Sequence, residues 1–150
     1  MKPYQLLLIC CLAAIFSCEK EDHRTKLSQI RVLSYPINQP NVNGWDGTGF
    51  TGLADVYFTL TNKKGLNFKS PTEYSRYYNK TTIWDVRDDH ILLGDLFEEC
   101  VISLYDNDFN KKDDSIGSIT FRLNLSTDNS SAPKFISDGK NLSFEIWVQE

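Results

Sequence analysis

Between Leu104 and Gly117 the chain sets Asp106, Asp108, Asp113 and Asp114 close together, with Asn107, Phe109, Asn110, Lys111 and Lys112 among them. Carboxylates this crowded repel unless they are protonated or meet a cation. A hard divalent ion such as Ca²⁺ takes six to eight oxygen ligands in a flexible geometry, which an Asp-rich loop supplies better than a His or Cys cluster does. A second acidic pair, Asp46 and Asp55, brackets the glycine-containing segment Gly47 to Ala54. Brought to one end of a fold, the carboxylates of these two loops would repel one another unless protonated or neutralised by a cation.

An EF-hand is the rival calcium motif, and Asp106, Asp108 and Asn110 fit its first positions. Lys111 then occupies the glycine position and Gly117 the bidentate Glu position, so the motif fails. Catalytic chemistry finds less support. His23 and His90 are the only histidines, one among charged residues and one beside an apolar run, so neither a zinc set nor a Ser-His-Asp triad can be assembled. Cys100 alternates in phase with Ile102 and Leu104, as a core thiol would. The expectation is a binding module and not an enzyme.

The elements that must position these loops read as strands. Leu142, Phe144, Ile146 and Val148 alternate with Ser143, Glu145, Trp147 and Gln149, the period of a half-buried strand. Ala54 to Leu60 is rich in β-branched and aromatic residues and ends at the turn former Asn62-Lys63-Lys64-Gly65. Similar runs lie at Ile30 to Tyr35, Glu73 to Tyr78, His90 to Leu93, Cys100 to Tyr105, Ser118 to Leu123 and Lys134 to Ile136. No stretch after Cys18 holds a helical apolar period over three turns. The pattern predicts an all-β, antiparallel sandwich of eight strands.

Ahead of it, Leu6 to Phe16 is an apolar run too short to span a bilayer and of signal-peptide length, followed by Ser17-Cys18 and the charged run Glu19-Lys20-Glu21-Asp22. Ile15-Phe16-Ser17-Cys18 resembles the bacterial lipobox, which implies cleavage before Cys18 and lipidation of its thiol. The reading is thus a lipoprotein signal peptide over 1–17, lipidated Cys18 and a flexible acidic tether over 18–27, and the sandwich over 28–150. The acidic residues after Cys18 resemble the sorting signals of some surface lipoproteins. Location in the cell envelope, anchored to the outer membrane on its periplasmic face or at the cell surface, is the corresponding expectation. Removing residues 1–17 takes away one of the 16 Lys+Arg and none of the 20 Asp+Glu, which shifts the formal charge from −4 to −5. A mildly acidic chain is a poor nucleic-acid binder, because a basic face supplies most of that affinity. Cys10 and Cys11 leave with the signal, so Cys100 has no partner for a disulfide.

With the strands laid out, the acidic segments resemble the calcium loops of C2 domains. Asp106-Asn107-Asp108, then Asp114-Ser115-Ile116-Gly117, is similar to the family's third loop, D-x-D-x5-D-x-I-G. Asp46 with Gly47 to Ala54 and then Asp55-Val56-Tyr57 is similar to its first, Val56 standing where the family has proline. Thr82-Ile83-Trp84-Asp85 looks like the entry to the fourth strand. One strand before the first loop and a strong one at the end resemble the permuted, type II topology. The resemblance implies Asp46 and Asp106 as bridging ligands and Asp55, Asp108 and Asp114 as the rest of the shell. It also implies Phe109 and Phe50 as apolar loop tips that touch a membrane or partner, with anionic phospholipid, a glycan or a protein as the ligand at the loops. The competing class is a calcium-independent envelope protein that binds a glycan or neutralises a toxin through the same acidic surface, with Trp45, Trp84 and Trp147 as candidates to stack on a sugar.

Overall fold

The computed structural model describes residues 25–36, 45, 54–74, 81–93, 98–108, 112–122 and 132–149. The signal peptide, Cys18, Asp46, Phe50 and Phe109 lie outside them.

The described residues form an all-β sandwich. In chain order the strands are β1 (Lys26–Ser34), β2 (Asp55–Asn62), β3 (Asn67–Lys69), β4 (Glu73–Tyr74), β5 (Thr82–Asp85), β6 (Glu99–Asp106), β7 (Asp114–Arg122), β8 (Lys134–Ser137) and β9 (Ser143–Gln149). One sheet runs β5-β1-β9-β8 and the other β3-β2-β6-β7, with β4 also paired to β2. Every pairing is antiparallel. The last of these strands lies beside the first, Ile30 opposite Ile146, which is the permuted arrangement.

Alternation decides which face each strand buries. Ile30 and Val32 of β1 and Phe144, Ile146 and Val148 of β9 point into the sandwich, while Arg31 and Glu145 pair outside it at 3.0 Å. From the other sheet come Val56, Phe58 and Leu60 of β2, Cys100, Ile102 and Leu104 of β6, and Ile119 and Phe121 of β7. Phe58 is wholly buried and meets Trp84 edge-on at 5.0 Å, which ties β5 across the core to β2. The indole N–H of Trp84 donates to the Pro71 carbonyl at 3.0 Å and that of Trp45 to the Pro36 carbonyl at 2.8 Å. Both rings are therefore core members, 3% and 4% exposed, and cannot stack on a sugar. Trp147 sits on the outer face, with the Arg31 guanidinium 4.7 Å from its ring. Cys100 is a core thiol, its pKa pushed up to about 11 by burial and by the charge of Glu98.

Three local readings differ. His90 to Leu93 makes only a bridge, Lys26 to Leu92, because Arg87–Asp89 forms a 3₁₀ turn and His90 takes a left-handed backbone, φ 51°. β5 pairs with β1, at the segment Thr82 to Asp85 that the resemblance singled out, while β3 adds a three-residue strand beside β2. β1 begins at Lys26, and a register shift between Leu27 and Gln29 buries Leu27 to 1% exposure.

Candidate metal centre

Asp106 is in phase with Cys100, Ile102 and Leu104, so strand period alone aims it at the interior, at the very end of β6. It is 0% exposed. Its Oδ1 accepts the backbone N–H of Asp55 at 2.8 Å, and the Asp55 carbonyl accepts the N–H of Asn107 at 2.8 Å. These two bonds clamp the start of β2 to the end of β6. Register then places Val56 directly opposite Asp106, and Asp114 opposite Asp106 on its other side. Residues directly opposite in an antiparallel pair face the same way, with Cβ atoms roughly 4.5–5.5 Å apart. A register shift after Leu104 is what brings Asp114 into that position. Asp55, Asp108 and Asp114 are each half-buried.

Of the five residues named from the sequence, Asp55 opens β2, Asp106 ends β6, Asp114 opens β7 and Asp108 follows β6 by two residues, all at one end of one sheet. Asp46 lies outside the described residues. Among the described residues no group of three or more His, Cys, Asp or Glu side chains that could hold a metal ion is gathered. The donor set is all carboxylate oxygen, the type that suits Ca²⁺.

Asp113 is engaged elsewhere, in a network that sequence reasoning missed. The Tyr57 hydroxyl donates to its Oδ2 at 2.7 Å, and Lys69 Nζ stands 3.9 Å from the same oxygen and 3.7 Å from the centre of the Tyr57 ring. Tyr57 in turn stacks on Tyr105, its cross-strand partner, at 5.2 Å. The signal was present in the sequence as Asp55-x-Tyr57 and Tyr105-Asp106: each tyrosine sits out of phase with the core, close to an acidic residue. Burial, and then the Asp113 hydrogen bond and charge, push the Tyr57 phenol well above its ordinary value.

A raised folded-state value means that the folded form holds the proton longer than the unfolded chain does. The contribution is complete below the ordinary tyrosine value near 10 and is lost as pH climbs above it. Tyr57→Phe should therefore flatten the fall in stability above about pH 10. At neutrality it should cost only about 1 kcal/mol, the worth of one hydrogen bond. Urea midpoints across alkaline pH check this, and parallel curves for both proteins would contradict it.

No family model matches the chain, and no curated protein matches it. Among solved structures it is similar to human GIVD cytosolic phospholipase A2 in complex with methyl gamma-linolenyl fluorophosphonate. There the TM-score is 0.50 and the identity 19%, over 85% of this chain and 17% of that one. It is also similar to a C2 domain, with a TM-score of 0.48 and 11% identity over 85% of this chain and 98% of that one. A further likeness is to a C2 domain of plant Extended Synaptotagmin 1, with a TM-score of 0.44 and 12% identity over 83% and 92% of the two chains. The chain spans less than a fifth of the phospholipase, so that likeness carries the fold and nothing of the enzyme's activity.

Proposed function

We propose that the chain, an all-β sandwich of two antiparallel sheets, is a C2-like, calcium-binding module held at the cell envelope by lipid on Cys18. The observation that carries the reading is the row formed by Asp106 and Asp114 across β6 and β7, with Asp106 wholly buried and bonded to the first residue of β2. Like charges set directly opposite on adjacent strands destabilise a sheet. A cation shared between them offsets that cost. Asp55, Asp106, Asp108 and Asp114 would hold Ca²⁺, and Asp46 would complete the set from the first loop. The bound ion would supply a positive centre able to attract an anionic headgroup or a partner's carboxylate, with Phe109 and Phe50 as the apolar contacts beside it.

Calcium should stabilise the domain, and Mg²⁺ should do so much less, since its tight octahedral shell suits a wide carboxylate mouth poorly. A ligand that binds only the folded state adds about 2.7 kcal/mol at a hundredfold excess over its dissociation constant. The measurement is the melting temperature in calcium, magnesium and EDTA. Equal melting in all three would refute the calcium reading and leave the fold untouched.

The anchor has its own test. Cys18→Ala should shift the chain from the membrane pellet to the soluble fraction, or leave an uncleaved precursor. Mass spectrometry of the wild type should find acyl chains on Cys18, and an unmodified N-terminus elsewhere would contradict the assignment.

A further inference from the structure

A cleft of about 540 Å³ opens at the end of the sandwich opposite the acidic loops. The β2–β6 ladder fixes that placement, since Val56 faces Asp106 at one end and Asn62 faces Cys100 at the other. One wall is the β2–β3 turn, with Asn62, Lys64, Leu66 and Phe68, and another is the segment running from Asp89 to Leu92. Glu98 belongs to the lining as well. The volume lies within the range of about 300–1,000 Å³ usual for small-molecule sites.

Glu98 is the unusual member. Its side chain is 7% exposed, and neither carboxylate oxygen accepts a hydrogen bond. The Lys64 ammonium stands 3.4 Å from Oε2 but is itself 61% exposed. A partner so well solvated offsets the desolvation of a buried carboxylate only in part, and its acceptor positions stay open to donors from outside. His90, also in the lining, is exposed and holds a left-handed backbone, the only non-glycine to do so among the described residues. Backbone held in such a region is found preferentially at ligand clamps.

We propose that this cleft binds a neutral, polyhydroxylated ring, a single sugar unit. The lining combines acceptors and donors with apolar side chains. Glu98 and Asp89 accept, while Lys64 and the amide nitrogens of Asn62 and Asn67 donate; Leu66, Phe68 and Ile91 supply the apolar surface. A pyranose matches both parts, with hydroxyls that donate and accept around its rim and an apolar face of C–H groups. Charged ligands fit less well. An anion would confront Glu98 and Asp89, and a cation would have to displace Lys64 from its pair. The Asn62 Oδ1 is already committed to the backbone N–H groups of Lys64 and Leu66, at 3.0 and 2.8 Å, so the turn that forms the first wall is set before any ligand arrives.

The test is amide chemical-shift mapping on the full chain in a sugar-free zwitterionic detergent, with EDTA present so that the acidic loops play no part. The probes are D-glucose, D-galactose, D-mannose and N-acetyl-D-glucosamine, each as the free sugar and as its methyl glycoside. At least one should shift the amides of the β2–β3 turn, of residues 89–92 and of Glu98, and leave those of the acidic end in place. Equal binding of the glycoside marks a chain-linked unit as the ligand, and its loss marks the free sugar. Glu98→Gln should weaken binding roughly tenfold, because a charge-assisted acceptor is lost. If that variant fails to fold, the exposed Asn67→Ala decides, and it too should weaken binding. Shifts from none of the probes, shifts elsewhere, or wild-type affinity in the folded variants would overturn the proposal.

Discussion

Asp106→Asn, combined with Asp108→Asn, should erase the calcium-dependent rise in melting temperature and yet cost little without calcium. The two halves of that result have different causes. In EDTA, the side-chain amide that replaces the Asp106 carboxylate can still accept the Asp55 N–H through its oxygen, so the 2.8 Å clamp between β2 and β6 survives. The substitution also removes a like-charge neighbour from Asp114, directly opposite on β7. Relief of such a pair is worth about 0.2–1 kcal/mol, so stability in EDTA should hold or rise slightly. In calcium the variant forgoes the whole ligand contribution, about 2.7 kcal/mol at a hundredfold excess. Thermal melts of parent and variant in both buffers give the answer. Equal calcium responses would remove Asp106 and Asp108 from the site, and a collapse in EDTA would show that their role is structural.

Phe58→Ala should lower stability more than any of the other substitutions, by about 3–5 kcal/mol. Phe58 is 0% exposed and packs against Trp84 at 5.0 Å and Phe68 at 5.7 Å. Its removal opens a cavity between the two sheets that cannot close easily. The Trp84 ring is held by its N–H bond to Pro71, and the Phe58 backbone is fixed by an N–H bond to the Ser70 hydroxyl at 2.9 Å. Against a total of about 5–15 kcal/mol, such a loss brings the domain near its unfolding threshold. The control is Phe135→Ala, 65% exposed on β8, which should stay within about 0.5 kcal/mol. Urea midpoints measure both. A Phe58 cost below about 1 kcal/mol would mean that the sandwich is not packed around this ring.

The strands with a strict two-residue period were legible from sequence because one face of each is buried. Phe144, Ile146 and Val148 announce β9, and Cys100, Ile102 and Leu104 announce β6 and carry the phase on to Asp106. β3 and β5 were harder, since strands of three and four residues are too short to establish a period. His90 to Leu93 has the composition of a strand, but the preceding 3₁₀ turn and left-handed His90 redirect it, and backbone handedness leaves no trace in hydrophobic pattern. That Asp55, Asp106 and Asp114 fall at strand ends was legible from period and turn signals. The Tyr57–Asp113–Lys69 network was not, because it depends on which residues of β2, β3 and the approach to β7 come side by side, and register is not written in any one strand. Trp45 and Trp84 were misleading for a related reason: two prolyl carbonyls satisfy their N–H groups, and only the folded chain shows that.

Arg31 and Glu145 join across 114 positions of sequence, and β1 and β9 match along nearly their whole length. A pairing so remote in sequence delays folding, because the entropy of closing the loop is lost before the contacts repay it. The delay falls on one sheet. β2 and β6 can zip with β7 through nearer neighbours, whereas β1, among the described residues, has the four-residue β5 and a single bridge to Leu92 to pair with until β9 docks. Until that strand arrives, the inner face of the first sheet stays open.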